Sequence, residues 1–92
     1  MASGTIKQPS LIVEEITCGA ITVEANGNGH ATGTISKSGY KPLGVVGIVN
    51  ISNAAYIYEY VFGNTYVDIF IRNIGNTQIS GTMRVKILYT KA

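Results

Sequence analysis

The side chains able to do chemistry in this chain are few and scattered. There is one histidine, His30, and one thiol, Cys18. A Cys–His nucleophile needs the two in contact, with a third group orienting the imidazole. Both fall on segments that read as neighbouring strands, but nothing beside them supplies an activating environment. His30 therefore reads as a polar residue flanking a turn and Cys18 as a small buried hydrophobe. Glu59 and Asp68 are expected to face each other across a hairpin, and a close carboxylate pair is what a glycosidase needs. Like charges placed so are otherwise unfavourable unless Arg72 or Arg84 relieves them, and no cleft can be read around the pair. Glu14 and Glu15 are adjacent, so a strand points them to opposite faces. No catalytic residue is assigned. No phosphate loop, zinc spacing or calcium loop occurs either, and no metal or cofactor is expected.

The aromatic residues point to binding instead. Tyr66, Asp68, Phe70 and Arg72 alternate along one segment and fall on one face of a strand, a candidate ligand-binding surface. Tyrosine and phenylalanine offer contact area at low entropic cost, and flanking Asp and Arg supply directed hydrogen bonds. Tyr56, Tyr58 and Tyr60 form a second period-2 row. A Gly63-Asn64 two-residue turn would set Tyr60 against Val67, Tyr58 against Ile69 and Tyr56 against Ile71. That row fits a core, a subunit contact with its hydroxyls at the rim, or a ligand surface. Together with Val46 and Ile48 it makes the candidate subunit interface.

The elements that must position these residues are strands. No window sustains helical spacing, and short β-patterned segments alternate with Gly/Asn turns. Segments 10–17 and 19–25 read as two strands, Asn26-Gly27-Asn28-Gly29 as a hairpin turn, and 30–37 as a thin polar edge strand. Ser38-Gly39-Tyr40-Lys41-Pro42 forms a shaped corner, with Gly39 free to take φ > 0. It leads into Leu43–Ile51, apolar on both faces: Leu43, Val45, Val49 and Ile51 on one, Val46 and Ile48 on the other. Such a strand is buried on both sides, within one subunit or between two. Segments 55–62 and 65–72 form a hairpin. Gln78–Tyr89 closes the chain with Ile79, Met83, Val85, Ile87 and Tyr89 inward and Ser80, Thr82, Arg84 and Lys86 outward. The expectation is an all-β antiparallel sandwich of about seven strands, jelly-roll-like or Ig-like. Residues 1–9 read as a flexible lead-in and residues 10–92 as a single domain.

Composition narrows the classes. The chain has 92 residues, 46% of them hydrophobic and 13% charged. A domain of this size buries only about 65% of its unfolded surface, so apolar surface is expected to need a partner. The net charge of +2 comes from basic residues spread singly, which leaves no footprint for nucleic acid or membrane. One cysteine excludes an intramolecular disulfide. No leader or spanning segment is read, so export by a signal peptide is not expected.

The run Ser38–Ile48, SGYKPLGVVGI, resembles the corner and strand of small β-sandwich domains at the C-terminal tips of phage and prophage tail-fibre and receptor-binding proteins of Gram-positive bacteria. Gly63-Asn64-Thr65, the strand ending Ile71-Arg72-Asn73 and the final Val85-Lys86-Ile87-Leu88-Tyr89 are similar as well, so the resemblance covers roughly 20–91. It implies a homotrimeric tip that attaches to a host surface polymer, located on the virion tail or surface and made in the bacterial cytoplasm. No shaft or repeat precedes the domain, which suggests a trimmed fibre or a small accessory virion protein. The resulting expectation is a non-enzymatic attachment module for cell-envelope carbohydrate, with other tail or capsid proteins as further partners. A structural assembly or decoration protein is the alternative, and a depolymerase using Glu59 and Asp68 comes third.

Overall fold

The computed structural model describes residues 10–92, and the expected lead-in over residues 1–9 lies outside them. Six strands follow in order: β1 (Leu11–Val23), β2 (Asn28–Thr34), β3 (Tyr40–Val49), β4 (Ala55–Phe62), β5 (Tyr66–Asn73) and β6 (Ile79–Lys91). They form two antiparallel three-stranded sheets, ordered β1-β6-β3 and β2-β5-β4. The fold is all-β, and no helix occurs among the described residues. The expected count of about seven is corrected to six. Segments 10–17 and 19–25 are one strand, because β6 offers a continuous template beside both. Gly19 merely makes a bulge there: the register steps from Thr17↔Arg84 to Ala20↔Thr82, leaving Cys18 and Gly19 opposite Met83.

The Asn-Gly signal marks a tight turn but not a hairpin. The Gly27 N–H donates to the Glu24 carbonyl at 2.9 Å, and Asn26 takes the positive φ of 59°. The strands it joins, β1 and β2, belong to different sheets. The turn therefore carries the chain from one sheet to the other. The reason lies in β2, whose inward residues Gly29, Ala31 and Gly33 are too small to fill a core alone and sit directly on β1. A Cβ at Gly33 would lie 2.8 Å from Cys18 Sγ and 3.2 Å from Ile16 Cδ1. That close approach requires glycine.

Gly39 does adopt φ 82°, as the corner requires. The strand after it is corrected on two points. Bulges between Pro42 and Gly44 and between Val45 and Gly47 shift the alternation. Val45 and Ile48 pack inward, while Leu43, Val46 and Val49 are 49%, 53% and 38% exposed. One face of β3 is thus open on a single chain. It continues across β6 to Leu11 and Val13 of β1, which are also exposed.

A shared apolar cluster draws on both sheets. Val67, Ile69 and Ile71 come from one, and Met83, Val85, Ile87 and Tyr89 from the other, all wholly buried. Burial of each such aliphatic side chain is worth about 1.5–3 kcal/mol. The alternation expected for the final strand is found as written, with Arg84 and Lys86 outside. On edge strand β1, Glu14 lies on the inward row, opposite Ile87, and meets the Lys37 ammonium at 3.0 Å. A charge placed so discourages a further strand from adding to that edge.

One polar side chain is buried in the cluster, that of Asn73. Its Nδ2 donates to the Val23 carbonyl at 3.1 Å and the Thr77 carbonyl at 2.8 Å, and its Oδ1 accepts from the Gly75 N–H at 2.9 Å. The Asn73 N–H donates to the Gly27 carbonyl at 2.8 Å. The residue thus joins the end of β5 to the end of β1, to the inter-sheet turn and to the loop before β6. Asn73→Ala orphans the Val23 and Thr77 carbonyls and the Gly75 N–H, and is expected to lower unfolding free energy by about 1–3 kcal/mol. Urea denaturation checks this, and an unchanged midpoint would contradict the assigned role.

Candidate functional site

The sheet β2-β5-β4 has a buried face and an open one, and strand alternation decides which residues occupy each. On β5, Val67, Ile69, Ile71 and Asn73 point inward, which turns Tyr66, Asp68, Phe70 and Arg72 outward together. On β2 the small residues face in, so Asn28, His30, Thr32 and Thr34 face out. Pairing aligns the two sets as rows: Asn28 with Arg72, His30 with Phe70, Thr32 with Asp68, and Thr34 with Tyr66.

The third strand departs from expectation. The hairpin pivots about Asn64 and Thr65 rather than Gly63 and Asn64, since Phe62 pairs with Val67 and the Gly63 N–H donates to the Tyr66 carbonyl at 2.9 Å. Tyr60 therefore faces Ile69, Glu59 faces Phe70 and Val61 faces Asp68. A bulge at Tyr58 then sets Ile57 opposite Ile71 and Tyr56 opposite Arg72, not the expected Ile71. The expected register would have turned three tyrosine hydroxyls toward the core, where each costs free energy unless partnered. The observed one sends Phe62, Ile57 and Ala55 inward instead. Tyr56, Tyr58 and Tyr60 are 57%, 46% and 47% exposed, so they are not core. They also do not form one row: Tyr56 and Tyr58 lie on the outer face, and Tyr60 sits at the sheet edge on the inner row.

The result is an aromatic row crossing all three strands. The His30 and Phe70 rings stack at 5.4 Å between centroids, 25° apart, and Tyr58 meets Phe70 at 6.3 Å, tilted by 45°. Polar pairs flank it. The Thr32 hydroxyl donates to Asp68 Oδ1 on one side, and Arg72 donates to Asn28 Oδ1 at 3.4 Å on the other. Of the four candidate ligand residues, Asp68, Phe70 and Arg72 belong to this cluster. Tyr66 lies on the same face but at its far end, its ring laid over Gly63, where a Cβ would come within 2.7 Å of it. His30, Thr32 and Asn28 are additions to the expected ligand residues, and Tyr58 joins them from the row expected as core, subunit contact or ligand surface. The alternation Asn28, His30, Thr32, Thr34 against Gly29, Ala31, Gly33, Ile35 was the signal that could have located three of them.

Other expected groupings separate. Among the interface candidates, Val46 lies on the outer face of the β1-β6-β3 sheet, Ile48 packs inward, and Tyr56 and Tyr58 lie on the outer face of the other sheet. These residues share no single surface. Glu59 and Asp68 both face outward but are not opposite one another, because Glu59 pairs with Phe70. No cleft or cavity encloses them among the described residues. No cluster of metal-ligating side chains is found among those residues.

Cys18 and His30 do not meet. Cys18 is buried beneath the sheet beside Gly33, whereas His30 stands on its outer surface. Burial, and secondarily the Asp68 carboxylate, pushes the Cys18 thiol above the usual thiol range. The thiolate is the reactive form, and here it is both disfavoured and shielded. Cys18 is expected to resist alkylation by iodoacetamide at pH 8 in the folded protein and to react promptly in denaturant. Mass spectrometry checks this, and rapid labelling of the native chain would contradict it. Compared with protein-family models, curated proteins and solved structures, the chain matches none.

Proposed function

We propose that this chain is a non-enzymatic attachment module of the phage tail-fibre type, which holds host cell-envelope carbohydrate on the outer face of the β2-β5-β4 sheet. The observation that carries this reading is the His30–Phe70–Tyr58 row flanked by Asp68 and Arg72. Aromatic faces stack on the C–H faces of sugar rings, and a few fixed polar groups then set orientation. The row spans three strands and is open to solvent, which suits a polymer laid across it. Single-stranded nucleic acid also stacks on aromatic sheets, but it needs a positive groove. Here Glu59 and Asp68 flank the rings.

In this reading the two sheets close as a sandwich, and three copies assemble at the virion tail or surface. Support for assembly comes from the other open face, where Leu11, Val13, Leu43, Val46 and Val49 are all exposed. A sheet face with this many exposed aliphatic side chains ordinarily marks a protein contact. A purely structural decoration role, without glycan, is the second reading, and that same apolar face favours it.

Phe70→Ala is expected to weaken retention on immobilised host wall polysaccharide at least about tenfold, with the melting temperature little changed because Phe70 lies outside the core. Unchanged retention would remove the assigned surface, and no retention of wild type on any wall glycan would favour the decoration role. Light scattering on a sizing column is expected to give the mass of three chains, and Val46→Asp is expected to shift it toward one. A wild-type monomer would overturn the assembly.

A further inference from the structure

We propose that the saccharide recognised by the Phe70 row carries a protonated amine, as an amino sugar or an amine-substituted wall polymer does; this rests on the glycan-binding reading above. The open face is ordered in rows: Asn28–Arg72–Tyr56, then His30–Phe70 with Tyr58 and Glu59, then Thr32–Asp68–Val61. Its charges are segregated along β5. Arg72 lies on one side of the aromatic row, and Asp68 lies on the other, with Glu59 beside the rings.

Among the described residues none of the three belongs to an ion pair. The ion pairs among the described residues are Lys37–Glu14 and Arg84–Glu15, both remote from this face. Asp68 instead accepts a hydrogen bond from the Thr32 hydroxyl, which fixes one carboxylate oxygen without compensating its charge. A carboxylate so oriented loses little further entropy when a ligand arrives. An ammonium seated over Tyr58 and Phe70 is attracted by the negative ring faces and by both carboxylates. Neutral sugars gain the ring contacts and hydrogen bonds but not the charge attraction.

Arg72 completes the recognition. It lies four residues from Asp68 on the same strand, a span of roughly 14 Å. That exceeds one sugar ring, so its guanidinium meets a carbonyl, hydroxyl or anionic oxygen on a neighbouring unit of an oligomer. The long-range field of the chain works in the opposite direction, since the net charge of +2 repels cations. A preference for a cationic glycan must therefore arise locally, at Glu59 and Asp68.

The test compares two tetramers of β-1,4-linked glucosamine, one fully deacetylated and one fully N-acetylated, by titration calorimetry against the intact chain at about pH 5.5, where the amines are protonated and carboxylates are ionised. The deacetylated tetramer is expected to bind at least about tenfold tighter. In the double variant Glu59→Gln, Asp68→Asn the two affinities are expected to converge, and Phe70→Ala is expected to abolish both. Equal wild-type affinities, or a preference for the acetylated tetramer, overturn the charge inference while Phe70-dependent binding keeps the glycan reading intact. A preference that survives in the double variant also overturns it. Failure of the deacetylated tetramer to bind wild type overturns it as well, and the wall-polysaccharide assay then decides the glycan reading separately. Melting curves of the variants show that the fold is retained.

Discussion

The buried amide of Asn73 is the constraint on which the arrangement of the two sheets depends. It stands where β5 ends, and its hydrogen bonds reach β1 and the loop that starts β6, while the backbone N–H of the same residue holds the inter-sheet turn. An amide in an apolar interior is tolerated only when its donors and acceptor are all engaged. In the observed placement of the strand ends all three are engaged. Hydrophobic burial is non-directional, whereas this amide demands partners at fixed positions. The Gly33–Cys18 contact acts in the same sense, since it sets how closely β2 can approach β1.

Fixing the inner faces determines the outer ones. Because alternation has period 2, seating Val67, Ile69 and Ile71 in the core turns Asp68, Phe70 and Arg72 out on the same strand. The two outer faces then differ in chemistry. One carries an aromatic row with Glu59, Asp68 and Arg72 beside it. The other carries aliphatic side chains with Arg84 and Lys86 between them. The first suits a ligand with polar groups to orient, and the second suits a surface to be covered. The buried hydroxyl of Tyr89 adds a local cost. It has no hydrogen-bond partner among the described residues, and burial chiefly raises its phenol above the usual tyrosine range.

Much of this was legible beforehand because alternation is a local property. The all-β class, the final strand with its inward Met83, Val85, Ile87 and Tyr89, the polar edge strand and the positive φ at Gly39 all follow from short windows of sequence. So does the placement of Tyr66, Asp68, Phe70 and Arg72 on one side of one strand. What was misread is non-local. Asn26-Gly27 announces a turn, but whether the strands it joins share hydrogen bonds depends on what else they find to pair with. β1 found β6, and β2 found β5. Bulges at Cys18–Gly19, in β3 and at Tyr58 are likewise set by the partner strand, and each inverts the alternation beyond it.

The sequence by itself determined which segments extend, where the chain turns, and which side chains travel together on a strand, because backbone geometry couples residues two apart whatever lies next to them. Tertiary structure alone decided that His30 and Tyr58 would meet Phe70 from either side, that Glu59 would face Phe70 rather than Asp68, and that Leu43 and Val46 would remain uncovered. Those outcomes depend on strand order and on bulge positions, which arise from packing and hydrogen-bond satisfaction between segments remote in sequence.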